Sequence, residues 1–162
     1  MEHYNVLFLC TGNSARSIMA EAILNFKGGP SFTAYSAGSH PSGTVRPEAL
    51  HQLQVAHIPS AGLHSKSWEE FAAPGAPRMN FVFTVCDYAA RETCPVWPGQ
   101  PMSAHWRVGD PAAVRGSADE IARAYREAFL ILDRRIQLLL ALPFASLDRL
   151  AIQSEIQRIG IL

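Results

Sequence analysis

Lysine is almost missing from this chain of 162 residues: it occurs only at Lys27 and Lys66, and arginine supplies nearly all the positive charge. Basic and acidic residues number 14 each, so the formal net charge is zero. A neutral chain has no field to gather nucleic acid or an anionic membrane surface, and neither partner is expected. Long apolar runs are lacking too. The longest, residues 136–147, has about half the length that a bilayer-spanning helix needs. Residues 4–9 are apolar, but they lack the basic flank and cleavage site of a secretory signal. Cysteine is limited to Cys10, Cys86 and Cys94. An odd number does not build a disulfide framework, and a chain this long needs no such staple. The expected setting is therefore the reducing cytoplasm, where cysteines are reactive, ligating or simply buried.

What is present is enough apolar residue, 48% of the chain, to build one substantial core. A single domain over residues 1–162 is expected. "YNVLFL" at residues 4–9 reads as a short buried strand, and "SIMAEAILNF" after it has helical spacing ended by Gly28 and Gly29. "FTAYSAG" is a second strand, followed by the Pro/Gly-rich loop "SHPSGTVRP", and Pro47 opens a helix to about Val55. "SKSWEEF" reads as a short capped helical turn, and "FVFTVC" at residues 81–86 is a third, continuously apolar strand. "SAHWRV" is a fourth strand. The capping box "SADE" opens a long helix over residues 117–142, and a last helix covers residues 146–159. Strands alternating with helices predict an α/β fold, a four-stranded parallel sheet flanked by helices on both faces.

The chemistry concentrates in "FLCTGNSARS" at residues 8–17, where a cysteine ends the first strand and an arginine opens the first helix. In open α/β sheets ligands bind beyond the carboxyl ends of the strands. The small residues Thr11, Gly12, Asn13, Ser14 and Ala15 let backbone amides turn inward at a helix N-terminus, which makes a cradle for an anion. Gly12 is the residue expected to take the unusual backbone angles. Arg16 adds a planar fork matched to a tetrahedral oxyanion. The same positive field predicts a lowered pKa for Cys10, and hence a nucleophilic thiolate. Ser17 is expected to donate a hydrogen bond to it. The loop thus binds an oxyanion over a nucleophile.

The stretch "VLFLCTGNSARSIMAEAIL" resembles the phosphate-binding loop of the low-molecular-weight protein tyrosine phosphatases. It resembles more closely the thioredoxin-coupled arsenate reductases built on that fold. The likeness continues through "YSAGSHPSG", "VFTVCDYAARETCPVWPG" and "AHWRVGDPA". The family's four-stranded parallel fold agrees with the pattern above. The resemblance also implies a general acid, placed here at Asp110 before Pro111, because an oxygen leaves poorly unless protonated.

Cys86 and Cys94 separate the two activities. A phosphatase needs one thiol, whereas a reductase needs an electron pair, which two thiols supply by becoming a disulfide. Cys86 ends the third strand, at the same sheet edge as Cys10. The resemblance implies that Cys10 attacks arsenate, that Cys86 attacks the adduct and releases arsenite, and that Cys94 then takes the disulfide outward. Phosphate or sulfate would mimic arsenate. No tightly bound cofactor is expected; electrons come from an external thiol donor, thioredoxin or else glutaredoxin or a low-molecular-weight thiol. The alternative is a phosphatase acting on phosphate monoesters, and a non-catalytic oxyanion-binding module is a third class, opposed by intact Cys10, Arg16 and Asp110. After Asp110 no aromatic residue occurs before Tyr125, and so bare a rim suits a small inorganic oxyanion. Trp97 and Trp106 read as packing. Seven residues between Cys86 and Cys94 do not match zinc spacing with His105. Some related reductases bind potassium beside the loop. Asn13, Glu21 and Ser36 stand where it would draw ligands, but they make no full set, and no metal is assigned.

Overall fold

Val6, Leu7, Phe8 and Leu9 are all fully buried in the first strand, β1 (Tyr4–Leu9). Successive strand residues point to opposite faces, so burial of four in a row means that both faces of β1 are covered. In the computed structural model, which describes residues 2–86 and 97–162, β1 indeed lies inside the sheet. It pairs with β2 (Phe32–Ala37) on one side and β3 (Phe81–Thr84) on the other, and β4 (Met102–His105) completes the order β2-β1-β3-β4, all parallel. The α/β fold with a four-stranded parallel sheet is as the sequence pattern predicts.

Helix α1 (Arg16–Lys27) follows β1, and its buried residues Ile18, Met19, Ala22 and Ile23 carry the helical spacing read from the sequence. Pro47 is the first residue of α2 (Pro47–Val55), where its fixed φ suits a helix start and its missing N–H costs nothing. A short α3 (Glu69–Ala72) precedes β3. The long α4 (Ala118–Leu140) opens on the expected capping box: the Glu120 N–H donates to Ser117 Oγ at 3.1 Å, and the Ser117 N–H donates to Glu120 Oε1 at 3.3 Å. The last helix, α5 (Arg149–Ile159), starts three residues later than the sequence pattern suggests. Asp148 accepts from the Ala151 N–H at 2.8 Å and so fixes the start, while residues 144–146 form a separate 3₁₀ turn.

One aromatic column joins sheet and helices. Phe8 and Phe83 are register partners on neighbouring strands, with ring centroids 5.7 Å apart. Trp106, fully buried, stacks on Phe83 at 3.8 Å and donates its indole N–H to the Ile156 carbonyl of α5 at 2.9 Å. Trp106 is therefore packing, as expected, and Trp97 meets Trp68 edge-on at 6.2 Å. Among the described residues no helix is long and apolar enough to cross a membrane.

The exit of β2 crosses the loop after β1 at very short range. A Cβ on Gly38 would lie 2.4 Å from the Thr11 carbonyl oxygen and 2.7 Å from that of Cys10. Backbone cannot yield as a flexible side chain can, so Gly38→Ala must push these segments apart. The expected loss of stability is about 1–3 kcal/mol, the range of an overpacked core site. Gly109→Ala, where an added Cβ meets nothing within 4 Å, serves as the control and should shift stability by less than about 0.5 kcal/mol. Urea denaturation of both variants measures the difference; equal midpoints would refute the steric reading.

Candidate active site

Residues 10–17 turn from the end of β1 into α1, and their carbonyls are bonded away from the turn. The Thr11 carbonyl accepts from the His40 N–H at 2.9 Å, the Gly12 carbonyl from the Ser42 N–H at 2.9 Å, and the Ser14 carbonyl from the Arg46 N–H at 2.8 Å. Ser65 Oγ adds a donor to the Gly12 carbonyl at 3.2 Å. With the oxygens tied outward, the N–H groups of residues 12–16 have no protein acceptor among the described residues. Helix α1 has Ala15 at its N-cap, no side-chain cap and no acidic residue in its first turn, so no internal anion claims its N-terminus. The loop "SHPSGTVRP", read from the sequence only as a connection, is thus the outer collar of the cradle.

The left-handed residue of this turn is Asn13, with φ of 44°, and not Gly12 as the sequence suggests. Asparagine tolerates that conformation when its side chain is bonded locally, and Asn13, fully buried, is bonded on every side. Its Oδ1 accepts from the Lys66 N–H at 2.9 Å, and its Nδ2 donates to Ser17 Oγ at 2.8 Å and Ser36 Oγ at 3.0 Å. Ser17 is therefore an acceptor for Asn13, and no hydrogen bond joins it to Cys10. The sequence-based role for Ser17 is corrected accordingly. Ser36 Oγ donates in turn to Glu21 Oε1 at 2.5 Å. Lys66 Nζ stands 3.3 Å from the same carboxylate oxygen and 3.4 Å from Ser36 Oγ. The groups that potassium would draw on already hold an ammonium, so these residues do not fit a metal.

Cys10 and Cys86 lie just beyond the carboxyl ends of the neighbouring strands β1 and β3, and both are buried. Their thiols lie close enough for Cys86 to act on the Cys10 proton as a neighbouring acceptor. Cys86 Sγ also accepts from the Thr11 N–H at 3.3 Å and lies 3.6 Å from Thr11 Oγ1. The contact with Cys86, followed by burial, pushes the Cys10 thiol well above the ordinary thiol range; the Arg16 charge and the Thr11 N–H pull the other way without prevailing. The sequence-based expectation of a lowered pKa is thus reversed in the reduced pair. Arg16 and the Thr11 N–H do lower it, and the neighbouring sulfur outweighs them. Cys94 lies outside the described residues.

Arg16 is largely buried and held from the β4 side. Its Nη1 donates to the Val108 carbonyl at 2.9 Å, and its Nη2 lies 3.7 Å from Asp110 Oδ1. Asp110 is about half exposed, and Oδ1 also accepts from the Ala112 N–H at 2.9 Å, capping the 3₁₀ turn Pro111–Ala113. The expected acid is thereby brought beside Arg16. Tyr125, on α4, is buried, and its phenol is pushed up by burial first and by Glu48 next, with smaller effects from Arg46, Asp110 and Arg16. It offers no ring face to a substrate. His105 is bonded to Thr84. Sequence reasoning missed Lys66, the collar residues and the Val108 carbonyl; none carries a local sequence signal.

Comparison with known proteins agrees with this geometry. Residues 5–151 match the family model described as low molecular weight phosphotyrosine protein phosphatase. An arsenate reductase of Halalkalibacterium halodurans is 32% identical over 82% of this chain and 91% of its own length. One from Bacillus subtilis is 33% identical over 74% of this chain and 83% of its own. Among solved structures, the arsenate reductase of Archaeoglobus fulgidus superposes with a TM-score of 0.65 at 26% identity, covering 85% of this chain and 99% of that one. Loop, thiol pair and sheet order thus occur in a chain that belongs to the low molecular weight phosphotyrosine protein phosphatase family.

Proposed function

We propose that this protein reduces arsenate to arsenite in the cytoplasm, with Cys10 as nucleophile and Cys86 as the thiol that completes the two-electron step. The observation that carries this reading is the second buried sulfur: Cys86 neighbours Cys10 and accepts from the Thr11 amide of the cradle at 3.3 Å. A phosphatase cycle has no use for it, because water takes the phosphoryl group from a single thiolate.

The steps balance as follows. Arsenate settles on the amides of residues 12–16 with Arg16 across it. Cys10 gives up its proton and attacks arsenic; one oxygen leaves as water, protonated by Asp110, and a Cys10–arsenic bond forms. Cys86 then attacks the Cys10 sulfur. The sulfur–arsenic bond breaks, its electron pair stays on arsenic, and arsenite departs as the Cys10–Cys86 disulfide closes. Arsenic gains the two electrons that the thiols lose. Cys94 exchanges with Cys86, restores the Cys10 thiol and presents a disulfide to an external dithiol, for which thioredoxin is the reductant proposed. Mixing the reduced protein with arsenate, thioredoxin, thioredoxin reductase and NADPH should oxidise NADPH; hydrolysis of a phosphate monoester without NADPH loss would favour the phosphatase reading.

The relay gives the two later cysteines separable failures. Cys86→Ser should release almost no arsenite. Cys94→Ser should release one equivalent and stop as a Cys10–Cys86 disulfide, which rapid quench with mass spectrometry detects. Full thioredoxin-coupled turnover by Cys94→Ser would leave a two-cysteine mechanism. For Asp110→Asn, oxyanion binding should persist while single-turnover reduction slows by about 10²- to 10⁴-fold, the usual contribution of general acid catalysis; an unchanged rate would remove Asp110 from the chemistry.

Because Cys86 is the largest cause of the raised Cys10 pKa, alkylation of Cys10 should be slow at neutral pH in the oxyanion-free protein. It should keep accelerating as pH rises above the ordinary thiol value of about 8.5. Cys86→Ala removes the cause, so the profile should move to lower pH, with faster labelling at pH 7. Iodoacetamide labelling followed by peptide mass spectrometry gives both profiles, and superimposable curves would contradict the assigned cause.

A further inference from the structure

The lysine at position 66 is 8% exposed, and its ammonium is enclosed by Glu21 Oε1 at 3.3 Å, Ser36 Oγ at 3.4 Å and the His64 carbonyl at 3.0 Å. An ammonium loses much hydration at such a place, and only a charged partner with further acceptors offsets that loss. All three are supplied here, directly beneath the catalytic loop. The backbone N–H of the same residue binds Asn13 Oδ1, and its ammonium reaches Asn13 Nδ2 through Ser36 Oγ. Both ends of the one left-handed side chain in the loop are therefore set from Lys66.

We propose that Lys66 is a positioning residue, a built-in monovalent cation that holds the Glu21–Ser36–Asn13 network and through it the inward amides of residues 12–16. It does not touch the oxyanion. The inference rests on the loop being the oxyanion site, as in the function proposed above. Its chemistry requires a single positive charge of ammonium size at this point, and a neutral side chain of the same length leaves the Glu21 carboxylate buried beside nothing that balances it. Asn13 then has no fixed partner at Ser36, and the amides that it orients drift from the anion. Displacements near 1 Å in such a site cost up to about 100-fold.

Protection of Cys10 from iodoacetamide by inorganic phosphate tests this without any turnover. In the unmodified protein, half-protection should be insensitive to exchange of potassium for tetramethylammonium in the buffer. In Lys66→Met, about 10- to 100-fold more phosphate should be needed. In Lys66→Ala, which opens space, ammonium or methylammonium salts should restore protection, a rescue that a purely structural role would not show. Lys66→Met combined with Glu21→Gln removes the stranded charge and keeps the test available should the single variants not fold; it too should bind phosphate weakly, now without response to ammonium. Wild-type phosphate affinity in a folded Lys66→Met or in the double variant overturns the proposal, as does weak protection in Lys66→Ala that ammonium leaves unchanged. Absence of phosphate protection in the unmodified protein would instead overturn the oxyanion site on which it rests.

Discussion

The turn between β1 and α1 works because its carbonyls are spoken for. A peptide unit is a dipole, and a ring of inward amides requires a ring of outward oxygens. The N–H groups of His40, Ser42 and Arg46 donate to those oxygens one after another along the segment that follows β2. Everything else at the site depends on that arrangement. It frees the helix N-terminus for an anion, brings Thr11 onto the Cys86 sulfur, and requires a residue in the left-handed region at position 13. The cost of that conformation is met by the buried bonds of Asn13, so the loop is shaped before any ligand arrives.

Two demands compete for the sulfur of Cys10. Attack on an oxyanion wants a thiolate, and two-electron chemistry wants a second thiol within bonding distance. The second raises the pKa that the first would lower. In the reduced pair the second demand prevails, and Cys10 is held as the thiol beside the Cys86 sulfur. The Thr11 N–H donates to that sulfur at 3.3 Å.

Much of the fold could be read from the chain. β1 matched residue for residue because its apolar run ends abruptly at a polar loop; α2 began where Pro47 allows; and the Ser117–Glu120 capping box set the start of α4. Those signals are local. The place of Cys10 and Arg16 on either side of a strand–helix turn was also legible, since an apolar run gives way to small residues before a helical pattern, whereas Asp110 was reached only through the resemblance. What stayed hidden depends on contacts far apart in sequence. Asn13 takes the unusual φ because Ser36 and Lys66 grip its amide, Ser17 turns to Asn13 for the same reason, and the Cys10 pKa is governed by a sulfur on another strand. No spacing in "CTGNSARS" reveals any of them.

Gly38 fits under Thr11 with no room for a methyl group, His40 to Arg46 wrap the outside, and Lys66 closes the floor. The active loop is therefore not a portable module. Transplanting residues 10–17 onto another parallel sheet would carry the letters of the motif without its shape. The smallest transferable unit is a knot of three separate chain segments, around positions 10–17, 36–46 and 64–66, and a host scaffold must present all three in the same register before the cradle closes.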